Sequence, residues 1–123
     1  MINKSLRLNF SPNLVPLVLS GKKFLTWRIN DDKNINSGDE LSLWLKGKDE
    51  NGSEIQGDKP FGKAKVVEVW EKPFKEFTTK EKNGHEQFSN DEEMVNQYKK
   101  YYGNWVSFET KVKIIRFELI SSQ

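Results

Sequence analysis

The octet Gly21-Lys22-Lys23-Phe24-Leu25-Thr26-Trp27-Arg28 marks a junction where a helix stops and a strand begins. Ahead of it, Leu14, Val15, Leu17, Val18 and Leu19 form an apolar helix. Ser11 supplies a hydroxyl cap and Pro12 the first helical position. Pro16 falls in the first turn, and Gly21 provides the stop. Beyond the turn, Phe24 to Ile29 reads as a strand. Side chains alternate across a strand, so Leu25, Trp27 and Ile29 share one face while Phe24, Thr26 and Arg28 share the other. The first face is apolar and suits a core. Thr26 and Arg28 then point together, toward solvent or a cleft. Lys23 lies at the turn, before the pleat is set. Spacing leaves open whether its amine meets Thr26.

Upstream, Leu6 to Phe10 (LRLNF) alternates as a strand. Downstream, residues 30–38 are polar and lead through Ser37-Gly38-Asp39 into a second alternating strand. Its Leu41, Leu43 and Leu45 are interleaved with Ser42, Trp44 and Lys46. Residues 47–60 read as a surface loop long enough to hide a hairpin. Residues 62–70 (GKAKVVEVW) are strand-like, and Phe74 with Phe77 suggests one helical turn. Residues 78–88 are polar and contain the turn signal Asn83-Gly84. Ser89 with Glu92 matches a capping box. Met94, Val95, Tyr98, Tyr101 and Tyr102 then stripe a helix that Gly103 ends. Residues 108–120 form a closing strand of mixed alternation. The order β-α-β-β-β-α-β predicts an α+β, mainly β fold in one domain over residues 1–123. The expected architecture is a small, strongly bent sheet or β-barrel with two helices packed on it.

Composition narrows the chemistry. Eight Phe, four Trp and three Tyr in 123 residues supply a core that a disordered chain lacks. The absence of cysteine excludes disulfides, thiolate nucleophiles and cysteine-type zinc sites. One histidine, His85, makes neither a multi-histidine metal site nor a Ser-His-Asp triad. No metal and no cofactor are expected. The apolar run Leu14 to Leu19 is broken by Pro16, so no transmembrane helix is expected. No signal peptide is legible, and a cytoplasmic location is the expectation. Twenty basic against 18 acidic residues give a net charge of +2. Charge alone therefore makes no case for nucleic-acid binding, which would have to be local. Only Arg7, Arg28 and Arg116 are arginines, so each is read for its fork geometry. Trp27, Trp70 and Trp105 suit the core. Trp44 runs out of phase with its leucines, and either stacks on a base or covers the outer face against a helix.

Gly21, Lys23, Thr26 and Arg28, followed by Gly38 and Asp39 opening the next strand, resemble the ordered motif of ASCH domains. These are small relatives of the PUA RNA-binding fold. The resemblance spans essentially the whole chain and extends to the late strand 112–119 (VKIIRFEL). The 47–60 loop is longer than in the shortest members. It implies a PUA-like barrel that binds RNA or a modified nucleoside in a cleft. One branch of the family consists of amidohydrolases that remove the acetyl group from 4-acetylcytidine, with a Lys, a Thr and a Glu as the proposed catalytic set. Lys23 and Thr26 match the first two by position. Glu86 matches the third, because it precedes a helix ending in Tyr101-Tyr102-Gly103. The resemblance thus implies a metal-independent hydrolase with Thr26 as nucleophile, Lys23 as general base and Glu86 orienting or polarising. Arg28, Gly21, Trp44 and His85 are the expected substrate-binding residues. His85 otherwise reads as a polar loop residue, and Arg28 as a strand-to-strand partner of an acid such as Asp39. The second function class is a non-catalytic RNA-binding module of the same family.

Overall fold

A computed structural model describes residues 6–29, 33–45, 59–85 and 87–122 of the 123. The strands are β1 (Arg7–Phe10), β2 (Leu25–Arg28), β3 (Glu40–Leu45), β4 (Lys59–Pro73) and β5 (Lys111–Ser122). The helices are α1 (Val15–Leu19), α2 (Thr79–Lys82) and α3 (Asp91–Tyr102), with 3-10 turns at Pro12–Leu14 and Phe74–Glu76. The expected strand order along the chain is observed, and the expected turn at Phe74 is present. Residues 46–58 and Glu86 lie outside the described residues, and with them most of the expected 47–60 loop.

The five strands form one sheet in the order β1-β3-β4-β5-β2. β1 runs parallel to β3, and the other pairs are antiparallel. Two register shifts in the β4–β5 ladder, at Lys63/Ala64 and Val66/Glu68, bend the long strands. The expected barrel is a half-barrel: β1 and β2 remain edges, joined by side chains rather than by a ladder. The Arg28 Nη2 donates to the Asn9 carbonyl (3.0 Å) and the Lys33 Nζ to the Arg7 carbonyl (2.7 Å). Alternate carbonyls of the β1 edge are thereby satisfied, which blunts an edge that could otherwise template aggregation.

The mixed alternation of β5 has a physical cause, because both of its faces are buried. Val112 and Ile114 enter one core with Leu25, Trp27 and Ile29 of β2 and Met94, Val95 and Tyr98 of α3. Ile115 and Phe117 enter the other with Leu8, Phe10, Val18, Leu41 and Leu43. The face of β2 assigned to the core is indeed buried.

Local signals were displaced in four places. The Ser11 hydroxyl makes no cap; its carbonyl accepts from the Leu14 N–H instead. α3 is capped by Asn90, whose side chain accepts from the Glu93 N–H (2.8 Å), one residue after the expected Ser89. The capping box occurs instead at Thr78 and Glu81, where it starts α2, a third helix. Trp105 is 53% exposed rather than core, and Tyr101 is 63% exposed, out of the α3 stripe. Trp105 is held outside by its indole N–H, which donates to the Tyr102 carbonyl (3.0 Å).

Candidate functional site

The residues after α1 turn inward. Gly21 takes φ 79°, a left-handed conformation that ends the helix, and the Lys23 N–H then donates to the Leu17 carbonyl (2.9 Å). This tight return tucks the Lys23 side chain under the sheet, where it is 3% exposed and its Nζ donates to the Leu25 carbonyl (3.0 Å). Thr26, on the opposite face of β2 from Trp27, is 4% exposed. Arg28 follows on the same face, with its guanidinium over the Phe10 ring at 5.4 Å. The half-barrel seam therefore gathers Lys23, Thr26 and Arg28 with Asn9 and Phe10 along one side of a hollow of about 170 Å³.

The other side of the hollow comes from the helical half: His85, Tyr98, Tyr101 and Tyr102. His85 is placed by Gly84. Gly84 has φ 87°, its carbonyl accepts from the Phe24 N–H (3.0 Å), and a Cβ there would stand 2.5 Å from the Phe24 ring. Only glycine satisfies both conditions, so β2 and the segment before α3 are pressed together at this point. His85 is not a solvated loop residue. It is 5% exposed, stacked flat on Trp27 (3.6 Å between centroids, 11° between planes), with its Nε2 3.2 Å from the Tyr98 hydroxyl.

Beneath His85, the Trp27 indole N–H donates to the Glu81 carbonyl (2.9 Å). The Glu81 side chain is fully buried. Its carboxylate accepts from the Thr78 N–H (2.6 Å), the Thr78 hydroxyl (2.8 Å) and the Trp70 indole (2.9 Å), and pairs with Lys72 (3.2 Å). Burial pushes this carboxyl upward. The hydrogen bonds from Thr78, Trp70 and Lys72 outweigh burial and hold it at about 2, below the ordinary 4.5.

The seam also holds two buried polar atoms without a hydrogen-bond partner, Asn9 Oδ1 and Arg28 Nε. Such atoms cost about 1–3 kcal/mol each. Both side chains line the hollow, so recognition capacity is concentrated there. Asn9, Tyr98, Tyr101 and Tyr102 were not read as site residues. Asn9 had a faint signal, as the polar position of an edge strand beside Ser11-Pro12. The tyrosines looked like core because helical periodicity does not distinguish a core from a cavity wall.

Of the sequence-derived set, the structure brings Lys23, Thr26, Arg28 and His85 to one hollow. Glu86 lies outside the described residues. Gly21 shapes the turn without lining the hollow. Arg28 bonds the Asn9 carbonyl rather than Asp39. Trp44 does not line the hollow, although it pairs in register with Asn9, which does, and it pleats away from buried Leu41 and Leu43. Its indole donates to the Ser42 hydroxyl (2.7 Å) and the Arg7 guanidinium lies over its ring (4.5 Å).

The sequence matches no protein-family model and no curated protein. Solved structures do match. A crystal structure from Enterococcus faecalis, of the family DUF984, aligns with a TM-score of 0.71 at 15% identity, over 100% of this chain and 84% of that one. A Pyrococcus furiosus protein solved by NMR aligns with a TM-score of 0.64 at 21% identity, over 96% and 99%. ZmASCH from Zymomonas mobilis, solved as a mutant protein, aligns with a TM-score of 0.61 at 15% identity, over 98% and 74%. Among the described residues no helix is long and apolar enough to cross a membrane. Strand order, seam and structural neighbours agree: over nearly its whole length this chain has the PUA-like fold of the ASCH domain proteins.

Proposed function

We propose that the hollow binds the base of a modified nucleoside, free or in RNA, and that the protein hydrolyses an amide on it such as the acetyl group of 4-acetylcytidine. The observation that carries this reading is the burial of Lys23 and Thr26 along one wall of a hollow that also holds Arg28 and three tyrosines. A hollow of about 170 Å³ is smaller than the ~300–1,000 Å³ sites that engulf a drug-sized ligand, and suits one ring with a small substituent. Aromatic walls stack on a base at about 1–3 kcal/mol per base.

In the reaction, the Thr26 hydroxyl attacks the amide carbonyl while Lys23 takes its proton. Lys23 is buried, with its amine 3.0 Å from the Leu25 carbonyl, and lines the same hollow as Thr26. The carbon–nitrogen bond then breaks and the amine leaves with a proton, giving a threonyl ester that water hydrolyses. Glu86 orients Lys23 or polarises the water. One contact in the hollow also favours a second reading, a binding module without turnover. The Lys23 amine is engaged by the Leu25 carbonyl, and no contact between it and the Thr26 hydroxyl is seen. Catalytic hydrogen bonds are often loose before substrate binds, so the first reading is preferred.

Incubation of purified protein with 4-acetylcytidine decides between them by chromatography of released cytidine. The hydrolase reading expects release that falls at least about 100-fold in Thr26→Ala and Lys23→Ala. No release, with salt-dependent RNA binding instead, establishes the module.

A further inference from the structure

The buried His85 and Tyr98 have no part in the Lys-Thr-Glu chemistry, yet both line the hollow. His85 is 5% exposed and Tyr98 6%, and they meet at 3.2 Å between Nε2 and the phenolic oxygen. Each ring is fixed by a second contact. The imidazole lies flat on Trp27, and Trp27 is pinned by its own hydrogen bond to the Glu81 carbonyl. The phenol is stacked over Tyr102 (6.1 Å, 7°) and meets Tyr101 edge-on (5.7 Å, 88°). The Tyr98 hydroxyl and the Thr26 side chain line the same hollow, so a substrate attacked by Thr26 has the pair beside it.

We propose that Tyr98 is a catalytic residue, the acid that protonates the departing nitrogen, and that His85 is its proton partner. This rests on the hydrolase reading and extends it. As the carbon–nitrogen bond breaks, the bonding pair goes to the nitrogen, which takes the phenolic proton of Tyr98. The phenolate then takes the proton on His85 Nε2, and the imidazole recovers one from water. The charged and titratable groups around the pair are Lys23 from the turn before β2, Arg28 from β2, Tyr101 and Tyr102 from α3, and Glu81 beneath Trp27. Lys23 precedes β2 and Tyr98 lies on α3, so the acid and the proposed base come from different segments, as a reaction that needs both requires.

The test is a kinetic comparison on 4-acetylcytidine across pH. Tyr98→Phe keeps the ring and its stacking and removes the proton. It is expected to lower kcat by about 100-fold or more with KM changed less than about three-fold. His85→Phe keeps a ring on Trp27 and is expected to abolish the alkaline fall in kcat that reports loss of the imidazolium proton, while Tyr98→Phe lowers the rate at every pH. A merely structural role predicts the reverse pattern: raised KM, unchanged kcat and an unchanged pH profile. Turnover in the wild-type protein that Tyr98→Phe leaves intact overturns this assignment alone. No turnover in the wild-type protein at any pH overturns the hydrolase reading and this assignment together.

Discussion

Glu81→Gln is expected to destabilise the protein by about 3 kcal/mol at neutral pH and to lose that deficit in acid. The buried carboxylate serves four donor groups at once: the Thr78 amide and hydroxyl, the Trp70 indole and Lys72. A glutamine keeps the shape but turns an N–H toward donors. The magnitude follows from the carboxyl being held at about 2 against 4.5, at about 1.4 kcal/mol per unit. The folded protein holds this proton more weakly than the unfolded chain does. The stabilisation is therefore complete above about pH 4.5 and disappears as pH falls toward 2. Urea unfolding of both proteins between pH 7 and pH 2.5 checks this. The wild-type advantage should shrink steadily below pH 4.5, with a thermal midpoint deficit of roughly 10 °C at neutral pH. A deficit that stays constant down to pH 2.5 would show that the charge of Glu81 is not what matters.

Trp27→Ala is expected to be the most damaging single change in the site region. Trp27 is 2% exposed and touches the rings of Phe74, Phe77, His85, Phe88 and Tyr98. Truncating such a residue costs about 3–5 kcal/mol through lost transfer energy and the cavity left behind. Leaving the Glu81 carbonyl without its indole donor adds to this. Natural domains hold only about 5–15 kcal/mol in total, so the variant should be partly unfolded at room temperature. Trp27→Phe, which keeps a ring beneath His85, should lose about half as much. Denaturant midpoints measured by circular dichroism rank the three proteins, and equal midpoints would remove Trp27 from the centre of the second core.

What could be read in advance depended on range. The alternation in Phe24 to Ile29 correctly assigned Leu25, Trp27 and Ile29 to a core, because a strand face is a local property. It also put Thr26 and Arg28 together, but not toward a particular neighbour, since the seam arises only when β1 curls round to face β2. The stripe on α3 was real for Met94, Val95 and Tyr98 and failed at Tyr101, where the helix runs past the sheet. Thr78-Thr79-Lys80-Glu81 carried a capping-box signal as clear as the one assigned to Ser89. The residues around it are so polar that no apolar stripe marks a helix there, although the segment holds the most deeply buried charge among the described residues. His85 looked like a loop residue because nothing local shows that Gly84 presses it against Trp27.

On the reading proposed above, ligand binds at the seam between β1 and β2, in the hollow that α3 also lines. The most direct measurement is a titration of 15N-labelled protein with 4-acetylcytidine followed by NMR. Saturable shifts are expected at Asn9, Thr26, Arg28, His85 and Tyr98. Saturable shifts elsewhere with these five unmoved, or no shifts at millimolar ligand, would place the site elsewhere or nowhere.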